Sequence, residues 1–508
     1  MNNTTLRTLL VYAVTLPLAV FVGWMVAGDL TRTSFAVLAA IVFVLLLPLL
    51  LKWHYPVMIF SWGTYITIFF LPGQPALWML MAGINFGMAI LNRIISKKQT
   101  FLSAPSITAS LLVLAAVVLF TAKLRGGFGL QVMGSSTYGG KGYYLIIAGI
   151  IGYFALTSQP IPVERAKFYT ALFFLPGIIS AVSNLIYFAG PAFYSLYLIF
   201  PVGFAGVQAG SEMAGGISRV AGFTASATAV SFYLLAVNGI RTLFVKWWRL
   251  LLLIAVMALG SLGGYRSILV LVGLVFMILF LVEGLLRSPL FPALLVVGAL
   301  VFAILIPISS KLPLAMQRTL SFLPLKVDPI VRIDAQGSIA WRLEIWRTVS
   351  GDLPKYFWLG KGYALNPTDL YLADQAQLRR RTAGHESAVL VGNYHSGPLS
   401  VYVPFGIWGS VAFLAFLTVS LRALHLNYLY GSQELRTLNR FLFAFFIGRI
   451  IFFFAVFGAL ASDFYLFTGI VGFSIALNKG ICSKPVLVPQ PVQFRRDLTL
   501  RPAQAGLA

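Results

Sequence analysis

The residues of this chain best suited to chemistry are one histidine and a few arginines that lie beside long apolar stretches. His395 belongs to "VGNYHSGPLSVYVPFGIWG", where a polar segment containing Tyr394 precedes an apolar run. The chain has four histidines in 508 residues. A histidine can accept a proton from a hydroxyl group near neutral pH, because its unperturbed pKa is about 6.5. His395 is therefore a candidate general base, and a helix cap or interfacial residue is the alternative interpretation.

Three arginines are candidates for binding an anion. Arg266 follows a glycine run in "LGSLGGYRSILVLV", Arg219 opens "RVAGFTASATAV", and Arg342 lies in "QGSIAWRLEIWRTV". Guanidinium groups stay charged and present a planar fork that suits phosphate oxygens. The alternative is that Arg219 and Arg266 flank membrane helices and extend towards lipid headgroups.

Other polar residues could support such a site. Ser338, Arg342 and Trp346 are spaced by four residues, which places them on one face of a helix. Arg449, in "FFIGRIIFFF", lies deep in an apolar stretch, where inserting an arginine costs about 2.5–3.5 kcal/mol. Arg449 therefore needs a partner, and it is either a supporting site residue or half of a structural ion pair.

Neither a metal site nor a cofactor is expected. His385 and His395 do not match a common ligand spacing, and "HESAV" lacks the second histidine of the HExxH motif. The single cysteine, Cys482, excludes a cysteine cluster and an intramolecular disulfide.

Composition identifies the elements that must position these residues. The chain is 59% hydrophobic and 10% charged, whereas soluble proteins carry about 25% charged residues. Apolar stretches of about 20 residues, long enough to cross a bilayer, recur along the chain. The sequence thus predicts an all-α integral membrane protein. Its net charge of +23 is typical of cytoplasmic loops that collect Lys and Arg, and nothing indicates a nucleic-acid groove.

About 14 transmembrane helices are predicted. Their predicted positions are 8–27, 34–51, 56–71, 76–94, 104–122, 142–158, 168–188, 219–240, 247–262, 265–285, 290–308, 397–421, 439–456 and 461–477. The first is interpreted as a retained helix and not as a cleaved signal peptide. Segment 190–210 begins with Gly-Pro and is interrupted by Pro201, so it is predicted to be re-entrant or interfacial.

The charge bias of the loops then predicts cytoplasmic termini and one long periplasmic loop, which is expected to be partly helical and functional. In that loop Arg379–Arg381 either attract anionic glycan or lipid or are simply solvated, and solvation is the favoured interpretation. The predicted division of the chain is 1–188, N-terminal transmembrane helices; 189–308, a transmembrane core with periplasmic-side arginines; 309–396, the periplasmic loop; 397–480, C-terminal transmembrane helices; and 481–508, a disordered cytoplasmic tail.

Several short motifs resemble those of the O-antigen ligase and Wzy-type polysaccharide polymerase superfamily. They are "RVAGFTAS", "GSLGGYRS", S-x3-R-x3-W followed by "GKGY", and "YHSGPLSVYVPFGIWG", and they occur in the family's order between about 215 and 420. Ser396, Gly406 and Gly409 also match. The family usually has Gly-Ser-Arg where this chain has Tyr265 before Arg266.

The resemblance implies a glycosyltransferase at the periplasmic side of the bacterial inner membrane. Arg266 and Arg342 would bind the diphosphate of an undecaprenyl-diphosphate-linked glycan, Arg219 would support them, and His395 would activate the acceptor hydroxyl. Arginines that stabilise the departing diphosphate would make a metal unnecessary.

The acceptor would be lipid A-core in a ligase or a second lipid-linked glycan in a polymerase, and the motifs do not distinguish these branches. A flippase or exporter of lipid-linked oligosaccharides is the alternative function, and it would place charges along a central path. An accessory membrane protein is the third interpretation.

Overall fold

The computed structural model describes residues 3–28, 32–69, 71, 74–95, 101–127, 140–213, 216–378 and 385–484. Over these ranges the chain is helical, and its single extended contact is a bridge between Thr67 and Ala76. The all-α prediction is therefore confirmed. Arg379–Arg381 and the predicted tail beyond 484 lie outside the described residues.

The described α-helices follow one another without an intervening sheet. They are α1 (Asn3–Ala27), α2 (Arg32–Trp62), α3 (Leu77–Ile95), α4 (Pro105–Arg125), α5 (Lys141–Leu156), α6 (Ala166–Phe174), α7 (Ile179–Ala189), α8 (Gly203–Met213), α9 (Ala221–Val245), α10 (Trp247–Gly260), α11 (Arg266–Val282), α12 (Leu290–Ile308), α13 (Leu314–Leu320), α14 (Pro329–Ser350), α15 (Pro367–Leu378), α16 (His385–Leu390), α17 (Gly397–Tyr430), α18 (Arg436–Ala455) and α19 (Leu460–Asn478).

In the described part of the chain, eight helical stretches are long and apolar enough to cross a membrane. They are Leu77–Ile95, Pro105–Arg125, Val163–Ala189, Ala221–Val245, Leu290–Lys311, Gly397–Tyr430, Gln433–Ala455 and Leu460–Asn478. Shorter apolar helices accompany them at Thr15–Met25, Lys141–Leu156, Trp247–Gly263 and Arg266–Val282. The chain is thus a multi-pass membrane protein, and the total of about 14 spans stays a prediction.

The prediction of two helices between residues 34 and 71 is wrong. The sequence predicts separate helices at 34–51 and 56–71, but α2 runs through Pro48 and Pro56 without interruption and ends at Trp62. Membrane helices tolerate proline because neighbouring groups satisfy the freed backbone. Residues 52–54, which the predicted division would place in a loop, continue the helix.

Residues 190–210 form short elements, as the glycine and prolines predict. They contain a 3-10 helix, Pro191–Leu198, and α8, and both are too short to span a membrane. Large apolar side chains such as Phe193 and Leu198 are exposed on this segment. Exposed apolar groups on short helices are typical of an interfacial segment, which remains the interpretation of this part of the chain.

The centre of the bundle is formed by α19, which packs against α5, α17 and α18. Its phenylalanines, with those of α17 and α18, are among the largest fully buried side chains. Helix α12 differs from these helices in burial, because none of its described residues is buried. Helix α12 therefore lies at the edge of the bundle and joins it through its ends.

Helix α17 is broken one-third of the way along its length, and the break positions the residues that precede it. Gly406 has φ 61° and ψ −155°, a conformation outside the helical region. The loop that follows α14 enters this break, where the Ile407 N–H donates to the Phe357 carbonyl at 2.8 Å. The connection 309–396 is thereby fastened to the helix that begins directly after His395.

The same loop supplies donors to the carbonyl groups that the break exposes. The Lys361 N–H donates to the Val403 carbonyl at 2.7 Å, and the Gly362 N–H donates to the Pro404 carbonyl at 2.9 Å. A Cβ at Gly360 would overlap the Pro404 carbonyl oxygen. Gly360, the first glycine of "GKGY", is thus required by close backbone contact.

Replacing Gly360 with alanine is expected to lower the free energy of unfolding by about 1–3 kcal/mol, because the added methyl group overpacks the contact with Pro404. Gly298→Ala in α12 is the control, since nothing lies within 4 Å of a Cβ at that position. Thermal unfolding of the detergent-purified variants, followed by intrinsic fluorescence, measures the difference. Equal melting temperatures for the Gly360 variant and the wild-type protein would contradict this account of the loop.

Candidate active site

Four arginines meet where α9 and α11 begin and where α13 and α14 pass over them. The cluster is defined as Arg219, Arg266, Arg318 and Arg342. Asp334 of α14 links two of these arginines: its Oδ1 lies 3.2 Å from the Arg219 guanidinium, and its Oδ2 pairs with the Nε of Arg318. One carboxylate therefore ties the entry to α9, helix α13 and helix α14 together.

The glycine run before Arg266 lets the backbone pass through this cluster. Gly264 has φ 69°, and its carbonyl accepts a hydrogen bond from Arg318. A Cβ on Gly264 would lie 3.3 Å from Cγ of Arg219, and one on Gly263 would overlap the Thr224 hydroxyl. The motif "GSLGGYRS" is therefore explained by tight packing and by a left-handed turn.

The cluster carries more positive charge than its described partners neutralise. Burial first, and then the charge of Arg318, lower the pKa of both Arg219 and Arg342. Arginine nevertheless stays protonated at physiological pH. Asp334 is the carboxylate that the described residues pair with the cluster, so three positive charges remain available to an anion.

The arginines differ in how firmly they are held. Arg318 is 5% exposed and bonds both Asp334 and the Gly264 carbonyl. Arg266 donates to the Ala335 carbonyl at 3.3 Å. The half-buried guanidinium of Arg342 has neither a hydrogen bond nor an ion pair to another described residue, and it is the group best able to bind a ligand.

His395 lies between two aromatic rings, with a strained backbone. Its ring centroid is 5.0 Å from that of Trp341 and 5.2 Å from that of Phe457. Its φ is 50°, which is uncommon for a residue other than glycine and often marks a functional position. Nδ1 is buried and has no hydrogen-bond partner among the described residues, so the ring has an unused polar atom.

The electrostatic surroundings keep His395 neutral. Burial lowers the pKa of His395, and the positive charge of Arg342 lowers it further. Since both effects disfavour the imidazolium ion, the ring is unprotonated at neutral pH. Trp341, whose ring packs on His395, directly precedes Arg342 on α14, so the arginine cluster and the histidine are neighbours.

Tyr394 and Trp346 hold the histidine segment against α14. The Trp346 Nε1–H donates to the Tyr394 carbonyl at 3.0 Å. The Tyr394 side chain is buried among Ile345 and Val349. These two residues therefore hold the segment that carries His395, and their supporting role in the site stays a prediction.

Two sequence-predicted supporting residues have different surroundings. Ser338 lies between Asp334 and Arg342 on one face of α14, partly exposed. Arg449 is bonded to Asp463 at 2.9 Å, and the other Asp463 oxygen accepts from the Ala459 N–H at 2.9 Å. Arg449 is thus held in an ion pair between α18 and α19, which is the structural alternative that its position left open.

Sequence reasoning missed Arg318 and Asp334. Arg318 lies in "LAMQRTL", a short helix of mixed composition in which an arginine does not stand out. Asp334 could have been found, because it continues the spacing of four from Ser338, Arg342 and Trp346 by one further turn.

A comparison with protein families places these residues in context. A family described as O-antigen ligase matches residues 247–414. The matched range contains Arg266, Arg318, Asp334, Arg342 and His395 and leaves out Arg219 and Arg449. No curated protein matches the chain.

Arg342→Gln is expected to raise the pKa of His395 towards its ordinary value of about 6.5, because it removes a nearby positive charge. In the wild-type protein the His395 resonances should titrate below that value. Histidine-labelled NMR in detergent micelles measures both pKa values, with His395→Gln to assign the signal. Arg342→Lys, which keeps the charge, is the control. An unchanged pKa in Arg342→Gln would show that the two groups are not coupled.

Proposed function

We propose that this membrane protein, which belongs to the O-antigen ligase family through residues 247–414, transfers a glycan from undecaprenyl diphosphate to an acceptor hydroxyl. The reaction would take place at the periplasmic face of the bacterial inner membrane. The observation that supports this most strongly is that Trp341 packs on His395 and is followed on α14 by Arg342, whose guanidinium has no partner among the described residues. A candidate base and a candidate anion-binding group are thus neighbours in the fold.

The arginine cluster suits the donor's diphosphate. Asp334 already pairs with Arg219 and Arg318, so Arg342 and Arg266 are the direct ligands and the other two support them. Arginine forks bind phosphate oxygens through two parallel hydrogen bonds. The interaction strengthens as the bond to the sugar breaks and negative charge accumulates on the departing diphosphate.

His395 acts on the acceptor. As the acceptor oxygen attacks the anomeric carbon, its proton passes to the imidazole, and the electron pair of the broken carbon–oxygen bond leaves with the diphosphate. Before donor binding, Arg342 disfavours the imidazolium ion. A bound diphosphate would offset that positive charge, and His395 would become a better base when the donor is in place.

The distribution of charge argues against the exporter interpretation. Exporters of lipid-linked sugars are expected to place polar groups along a path through the bundle. Four arginines, Arg219, Arg266, Arg318 and Arg342, instead gather where α9 and α11 begin, and Arg449 is paired with Asp463. The ligase and polymerase branches share this arrangement, so the acceptor must be identified by experiment.

His395→Ala is expected to reduce transfer by about a hundredfold or more, because a positioned general base contributes about 10²–10⁴ in rate. The assay uses purified protein with an undecaprenyl-diphosphate oligosaccharide, with and without lipid A-core. Product that requires lipid A-core identifies a ligase, and longer lipid-linked glycans without it identify a polymerase.

His425→Ala is the matched control for that assay, since His425 is exposed on α17 and stacks on Tyr428 and Phe443. It should leave transfer unchanged. Full activity in a well-folded His395→Ala protein would refute the proposed mechanism. Transfer that occurs under none of the conditions would refute the proposed function.

Arg342 and Arg318 should differ in what their loss changes. Arg342→Gln is expected to weaken donor binding with little effect on the melting temperature, because no described residue depends on that guanidinium. Arg318→Gln removes the donor of the Gly264 carbonyl and leaves Asp334 with Arg219 alone, which costs about 1–3 kcal/mol of stability. Thermal unfolding and donor KM separate the two effects. The interpretation fails if Arg342→Gln destabilises the protein as much as Arg318→Gln does.

A further inference from the structure

A cavity lies next to Tyr394, the residue that precedes His395. Its volume is about 340 Å³, within the range of small-ligand sites, about 300–1,000 Å³. Ala459, two residues after the Phe457 ring that packs on His395, also lines it. The cavity therefore lies between the segment that carries the histidine and the connection between α18 and α19.

Two lysines give this cavity its chemical character. Lys141, the first residue of α5, and Lys361, in the loop fastened to α17, both line it. Neither ammonium group has a hydrogen bond or an ion pair with another described residue. Lys361 is half-buried: burial lowers its pKa, and the charges of Asp352 and Asp369 oppose that change.

The segments that carry the two lysines are packed against each other. The Tyr363 N–H donates to the Tyr143 hydroxyl at 2.8 Å. A Cβ on Gly142 would lie 2.8 Å from the Tyr363 ring. The start of α5 thus contacts the loop that carries Lys361 directly, and these contacts place both lysines at the same cavity.

Such an arrangement is unfavourable without a ligand. The half-buried ammonium group of Lys361 has lost part of its hydration without gaining a hydrogen bond, and the exposed Lys141 brings a second positive charge to the same cavity. An anion between the two lysines would supply charge-assisted hydrogen bonds to both.

We propose that this cavity binds an anionic group, a phosphate monoester or a carboxylate, on the sugar that accepts the glycan. This inference rests on the proposed function, in which the donor's diphosphate occupies the arginine cluster and approaches His395 from α14. None of the four arginines is among the residues that line the lysine cavity, and the cavity is therefore left to the acceptor. Lys141 and Lys361 would bind the anion and so select acidic acceptors over neutral ones.

Binding can be measured without transfer. Isothermal titration calorimetry of the full-length protein in detergent, in phosphate-free buffer, would compare methyl glucoside 6-phosphate, methyl glucuronide and methyl glucoside as probes. The wild-type protein should bind at least one acidic probe and bind the neutral one about tenfold more weakly or worse. Comparison of the two acidic probes distinguishes phosphate from carboxylate.

Lys361→Gln should weaken binding of the preferred probe by about tenfold to a hundredfold, and Lys141→Gln/Lys361→Gln should weaken it further. Lys326→Gln, which removes an exposed lysine that does not line the cavity, is the charge-matched control and should bind like the wild-type protein. His395→Ala should also retain binding, since it changes the proposed base and neither ammonium group.

The inference is overturned if the wild-type protein does not prefer an acidic probe, or if the double lysine variant binds as the wild-type protein does. These outcomes differ from a failure of the proposed function, which would appear as absent transfer in the assay with the lipid-linked donor. The calorimetric result stands whether or not transfer is observed.

Discussion

The arrangement of the site depends on the carboxylate of Asp334. It pairs with Arg219, which precedes α9, and with Arg318 of α13, and it belongs to α14 itself. Three segments that are distant in sequence are therefore joined by a single charged group. Without that negative charge the four arginines would repel one another, and α14 would lose the contact that places Arg342 near His395.

A second constraint comes from the break in α17. An uninterrupted helix would satisfy its own carbonyl groups, whereas the break at Gly406 leaves carbonyls that the loop around Gly360 bonds. This attachment controls the far end of the connection 309–396, as Asp334 controls the near end. The ends of the connection are therefore held by different chemistry, an ion pair at one and backbone hydrogen bonds at the other.

The sequence predicted the class of fold and most of the candidate site because the informative residues contrast with their surroundings. Charged residues beside apolar helices are rare, which made Arg219, Arg266 and His395 visible. Arg318 was not visible, because nothing in its own short helix marks it. Its importance lies in its contacts with Asp334 and the Gly264 carbonyl.

Two further features also depend on distant contacts. The continuity of α2 through Pro56 relies on tertiary support, which no local pattern encodes. The cavity between Lys141 and Lys361 arises because Tyr143 and Tyr363 bring together residues that are far apart in the chain. Spacing along the sequence cannot indicate such a pairing.

The excess positive charge of the arginine cluster has a consequence for turnover under the proposed function. Once the glycan has left, the lipid diphosphate carries more negative charge than it did as a donor, and the same guanidinium groups attract it more strongly. Asp334 is the one carboxylate that the described residues pair with the cluster, and it opposes this attraction only in part. Release of the lipid diphosphate, and not bond formation, would then limit the rate of turnover. Removal of the released lipid from the membrane would shift the reaction towards products.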